Sequence, residues 1–143
     1  VTCAPVCPVS TLEPVGRPAC DKVIVIASPE PVTTPQGGFA VRGITRERVG
    51  ARDLCLSRLE IPPGLVEKAH YHAEHETAIY IVSGEVEVRY GPRLASTAVA
   101  RAGDFVYIPP SVAHQPINRS RTETVVVLLA RTDPHDIESL VLL

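Results

Sequence analysis

Apolar residues along this chain come in short runs that alternate with polar ones, and almost none recur at helical spacing. Side chains two positions apart on an extended strand share a face, so such runs predict strands half-buried against a core. The segments that qualify are 23–26, 39–44, 54–61, 78–82, 86–90, 105–108 and 124–130. Many short strands punctuated by Gly and Pro predict an all-β, antiparallel sandwich or barrel. Ser83-Gly84-Glu85 lies between two of the strands. Gly there supplies the positive φ of a tight turn, so the flanking strands are expected to pair as a hairpin. Near the end, Asp133 followed by Pro134 reads as an N-cap with Pro at the first helical position, so 134–140 is expected to hold a short C-terminal helix.

Composition changes the picture in two places. Prolines crowd the first part of the chain, so residues 1–22 are expected to be a flexible Pro-rich leader and 23–143 a single domain. With 143 residues, 45% of them hydrophobic, and a formal charge of −2, the chain has no electrostatic footprint for nucleic acid or an anionic membrane. The longest uninterrupted apolar runs, 23–27 and 125–130, fall far short of the roughly 20 residues of a membrane-spanning helix. The first residues lack a signal-peptide pattern, and a cytoplasmic protein is expected. Cys3, Cys7, Cys20 and Cys55 are read as free thiols.

The candidate chemistry sits in His70-Tyr71-His72-Ala73-Glu74-His75-Glu76. Histidines at i and i+2 on a strand project from one face and converge on one point, which is metal-ligand spacing. A second segment runs from Gly103 through Pro109, Ser111 and His114 to Asn118.

Together the two segments resemble the paired motifs of the cupin superfamily. Gly64, His70, His72, Glu76 and Gly84 match the first motif; Gly103, Pro109, His114 and Asn118 match the second, with Ser111 where the family has Gly. The resemblance covers roughly 50–130. It implies a cupin jelly-roll β-barrel, also called a double-stranded β-helix, with a divalent metal held by His70, His72, Glu76 and His114. One count departs from the family: seven residues, 77–83, separate Glu76 from Gly84, and counting back from the glycine puts Thr77 at the ligand position. If Thr77, Ile79 and Ile81 line the lumen as the substrate pocket, His75 shares their face and Glu76 points away unless a bulge intervenes. Both His75 and Glu76 therefore stay open as the fourth ligand, with Glu76 otherwise a catalytic acid or base near the ion.

Four imidazoles suit zinc, whereas a carboxylate in the set suits iron, manganese or nickel. With an apolar lumen, the histidine-rich run is similar to the zinc-dependent cupin cyclases of aromatic polyketide pathways. That resemblance implies Lewis-acid aldol cyclisation and aromatisation of a poly-β-ketone chain. Two alternatives remain: an iron or manganese dioxygenase or decarboxylase acting on a small organic molecule, and a non-enzymatic ligand-binding cupin. The expected partner is a small-molecule substrate, and a homodimer is left open.

Overall fold

In a computed structural model of the protein, residues 22–27, 29–135 and 139–143 are described. Among the described residues, eleven strands form two facing antiparallel sheets. In chain order they are β1 (Val32–Thr33), β2 (Phe39–Ile44), β3 (Cys55–Ile61), β4 (His70–His72), β5 (Thr77–Ser83), β6 (Glu85–Tyr90), β7 (Ser96–Arg101), β8 (Phe105–Ile108), β9 (His114–Ile117), β10 (Val125–Arg131) and β11 (Leu140–Leu142). One sheet has the order β1-β2-β3-β10-β5-β8 and the other β11-β4-β9-β6-β7. This is the jelly-roll arrangement, with one helical turn at Arg46–Val49 and a 3-10 turn at Pro92–Leu94. No helix among the described residues is long and apolar enough to cross a membrane.

Alternation along the strands builds the interior. Ile81 of β5, Val86 and Val88 of β6, Ile61 of β3, and Val125 and Val127 of β10 pack into one cluster between the sheets. Each such side chain contributes about 1.5–3 kcal/mol on leaving water. Their odd-numbered or even-numbered neighbours, such as Tyr80, Val82 and Leu128, face out.

Three expectations need correcting. The segment 23–26 forms no strand; Val23 and Val25 are 95% and 82% exposed, with no sheet to bury them. The strands flanking Gly84 do not pair as a hairpin. β5 bonds to β8 and β10, β6 bonds to β7 and β9, and at Gly84 the chain passes from one sheet to the other. A glycine is required there for two reasons: its φ is +83°, and a Cβ would stand 3.1 Å from the Val125 Cα. In place of the C-terminal helix, Pro134 and His135 form a turn and Leu140 opens β11, which pairs with β4; 136–138 lie outside the described residues. The leader lies outside them as well, apart from Lys22. Cys55 is buried, and Cys3, Cys7 and Cys20 lie outside the described residues.

Asn118, 1% exposed, ties the end of β9 to two other segments. Its Nδ2 donates to the Ile61 and Glu123 carbonyls at 2.9 and 2.7 Å, and its Oδ1 accepts from the Ser120 N–H at 3.0 Å. Asn118→Ala strands these backbone groups and is expected to cost about 2–3 kcal/mol, read as a lower urea midpoint.

Candidate metal centre

The register of the second sheet assembles the site. β4 lies beside β9 with His70 paired to His114, and the pleat puts His72 on the same face as His70, with Tyr71 between them pointing the other way. The three rings are buried, with centroid separations of 4.3 Å (His70 to His114), 5.3 Å (His70 to His72) and 5.8 Å (His72 to His114). One nitrogen from each lies within 4.8 Å of the others.

Backbone carbonyls set the tautomers. His70 Nδ1 is 2.8 Å from the Lys68 carbonyl and His114 Nδ1 is 2.9 Å from that of Val112. A carbonyl only accepts, so Nδ1 of each ring carries the proton and Nε2 keeps its lone pair. Both ring nitrogens of His72 are buried with no hydrogen-bond partner among the described residues. A buried polar atom in that state costs about 1–3 kcal/mol unless something binds it, and a cation at the meeting point of the three rings is what this donor set fits.

The electrostatics agree. Burial pushes His70 down to about 4, with His114 and Arg131 adding to the effect and the Lys68 carbonyl opposing it. Burial, then the Arg131 charge and the neighbouring rings, push His72 down to about 2. His114 is lowered mainly by burial. All three rings are therefore neutral at physiological pH, the form that binds metal.

The other residues singled out from the sequence separate cleanly. Thr77, Ile79 and Ile81 line the cavity that His70 and His114 also border. Glu76 points to the outer face, exposed, where Tyr107 Oη donates to its Oε1 at 2.9 Å. Thr77, the next residue, is buried and opens the register of β5 against β8, so Glu76 and Thr77 lie on opposite faces. Neither the ligand role nor the catalytic role expected for Glu76 fits that position. His75 stands outside the three-histidine set. It is half-buried and close enough to His72 and Asp133 to act on both electrostatically.

Three cavity-lining polar residues were not foreseen: Gln36, Glu67 and Arg131. Arg131 is 5% exposed and its Nε donates to Thr77 Oγ1 at 3.1 Å. It continues the inward series Val125, Val127, Leu129, so the alternation carried the signal. The cavity, about 40 Å³, is otherwise walled by aliphatic side chains such as Ile81, Val88 and Val127.

The turn before β9 buttresses the site, since the Ser111 N–H donates to the His72 carbonyl at 2.8 Å. Ser111 holds φ at 61°, a strained value for a residue with a Cβ. Ser111→Gly is expected to stabilise the protein by about 0.5–1 kcal/mol, visible as a higher Tm.

Comparison with known proteins follows the same lines. The family model described as a cupin domain matches residues 57–130, just over half of the chain. No curated protein matches it. Among solved structures, the oxalate decarboxylase of Lactobacillus farciminis is 26% identical with a TM-score of 0.66, over 80% of this chain and 33% of that one. A putative sugar phosphate isomerase from Acidithiobacillus ferrooxidans is 28% identical with a TM-score of 0.53, over 65% of this chain and 58% of its own. The polyketide cyclase RemF from Streptomyces resistomycificus shares the fold at 21% identity and a TM-score of 0.58, over 74% of this chain and 69% of its own. The chain thus spans about a third of the decarboxylase and little more than half of the isomerase.

Proposed function

The chain belongs to the cupin family, and from that premise we propose that it is a metal-dependent enzyme acting by Lewis-acid chemistry on a carbonyl substrate. The observation that carries this reading is the donor set: three neutral imidazoles, with no carboxylate among the grouped ligands, beside an aliphatic cavity. Such a set leaves the charge of a divalent ion undiminished and favours zinc. A cation held by His70, His72 and His114 would polarise a carbonyl and stabilise the enolate formed from it.

The protein's own groups supply the rest. The Lys68 and Val112 carbonyls fix two of the ligand rings, and the aliphatic walls exclude water from a reacting ketone. Within this class we favour aldol-type closure and aromatisation of a poly-β-ketone chain, the reaction that the histidine-rich motif suggests. Elemental analysis of protein purified without added metal should find one zinc per chain, and a short β-polyketone should yield an aromatic ring detectable by NMR. Stoichiometric iron with oxygen uptake would overturn the reading.

A second reading rests on a different observation. A cavity of about 40 Å³ bordered by the buried Arg131 suits a carboxylate of few atoms, the substrate size of a decarboxylase. Release of CO2 from an oxalate-sized dicarboxylate by manganese-loaded protein, without ring formation from the polyketone, would decide for it.

A further inference from the structure

One buried ionisable group at the cavity has no part in the scheme above. Glu67 is 4% exposed and lines the same cavity as His70 and His114, yet it lies outside the metal-ligating group. Its backbone is clamped on both sides. The Glu67 N–H donates to the Pro116 carbonyl at 3.0 Å, the Glu67 carbonyl accepts from Gln115 Nε2 at 3.0 Å, and the next N–H, of Lys68, donates to the Gln36 carbonyl at 2.7 Å. Room for the carboxyl comes from Gly38: a Cβ there would stand 3.2 Å from Glu67 Oε1 and 2.8 Å from the Glu60 carbonyl oxygen. Beside it, Gln36 Oε1 is buried with no hydrogen-bond partner among the described residues. A clamped carboxyl and an unpartnered amide oxygen thus border one small chamber that the ligand histidines also border.

We propose that Glu67 is a catalytic acid–base residue of this cavity, exchanging a proton with a small carbonyl substrate. The proposal rests on the enolate reading given above. In the forward step the C–H bond next to the carbonyl breaks and its electron pair forms the C=C bond of the enolate. The carbonyl π pair moves to oxygen, and the proton forms an O–H bond on the Glu67 carboxylate. In the return step that O–H bond breaks and the proton goes back to carbon, or to the hydroxyl that leaves as water. In the metal-free chain burial raises the Glu67 carboxyl to about 8, and a cation held by the three rings would draw it down from there, toward the range in which a proton carrier has both acid and conjugate base present. The other charged or titratable side chains that line the cavity are His70, His114 and Arg131.

The test uses the full zinc-loaded chain, with Glu67→Gln and Glu67→Asp beside it and Tm as the check of folding. Pyruvate is the probe, and NMR reads exchange of its methyl protons with D2O against a protein-free control. Glu67→Gln should keep one zinc per chain and bind pyruvate within a few-fold of the parent, while exchange falls by about 100-fold or more. Glu67→Asp should recover part of the rate. Unchanged exchange in Glu67→Gln overturns the proposal, as does loss of zinc, which would make Glu67 a ligand. If the parent binds zinc and pyruvate but exchanges nothing, the enolate reading fails. The visible spectrum of the cobalt-substituted protein then judges Glu67 alone. A pH-dependent change that disappears in Glu67→Gln retains it as the proton-holding group, and its absence, or persistence in the variant, removes it.

Discussion

His72→Ala is expected to lose stoichiometric metal and with it all metal-dependent turnover. Of the three ligand rings, His72 is the one with no backbone partner at either nitrogen, and an ion at the meeting point of the rings would satisfy it. Groups that merely orient a ligand cost 10–100-fold in affinity when removed, and loss of the ligand itself should exceed about 100-fold. The controls are the two residues that precede β5: Glu76→Ala, on the outer face, and His75→Ala, outside the three-ring set, should each keep one metal per chain. Elemental analysis after dialysis checks all three. Metal retained by His72→Ala and lost from His75→Ala would mean that the ion sits elsewhere.

Acid should unfold the metal-free protein early. Each buried ring has a folded-state pKa below the ordinary 6.5, about 4 for His70 and about 2 for His72, with His114 also lowered. Above pH 6.5 neither state takes up protons at these rings, and their contribution to stability is complete. As pH falls below 6.5 the unfolded chain binds protons that the folded chain refuses, at up to about 1.4 kcal/mol per pH unit for each ring. Glu67 has the opposite sign. Its folded pKa, about 8, lies above the ordinary 4.5, so its contribution is full below 4.5 and is lost as pH rises toward 8. Between pH 6.5 and 4.5 it offsets about one ring, leaving a net loss of roughly 1.4 kcal/mol per pH unit from His70 and His72, to which the lowered His114 adds. Urea midpoints at pH 7 and pH 5 test this, and equal midpoints would refute it.

Much of this site was legible because it is periodic. His70 and His72, Thr77 with Ile79 and Ile81, and the inward residues of β10 follow the two-residue repeat of a strand, whereas the same parity left Glu76 and His75 both open as the fourth ligand. The paired histidine and glycine motifs carried the fold. What escaped was set by partners distant in sequence. Gly84 marks a sharp bend, but whether the chain doubles back or changes sheet depends on β10 and β9, which arrive later. Glu67 lies in an irregular segment where no repeat tells inward from outward, and only the clamp from Gln115 and Pro116 turns it to the cavity.

The sheet change at Gly84 has a kinetic corollary. Without a local hairpin at this turn, β6 can pair locally only with β7, and β5 must wait for β8 and for β10, whose Arg131 pairs with Thr77. Barrels closed by such distant pairings refold in milliseconds to seconds, slower than helical bundles of similar size. His70 and His72 meet His114 only once β4 has found β9, so a nascent chain offers an incoming ion two imidazoles at most from this trio, and tight capture follows closure of the barrel.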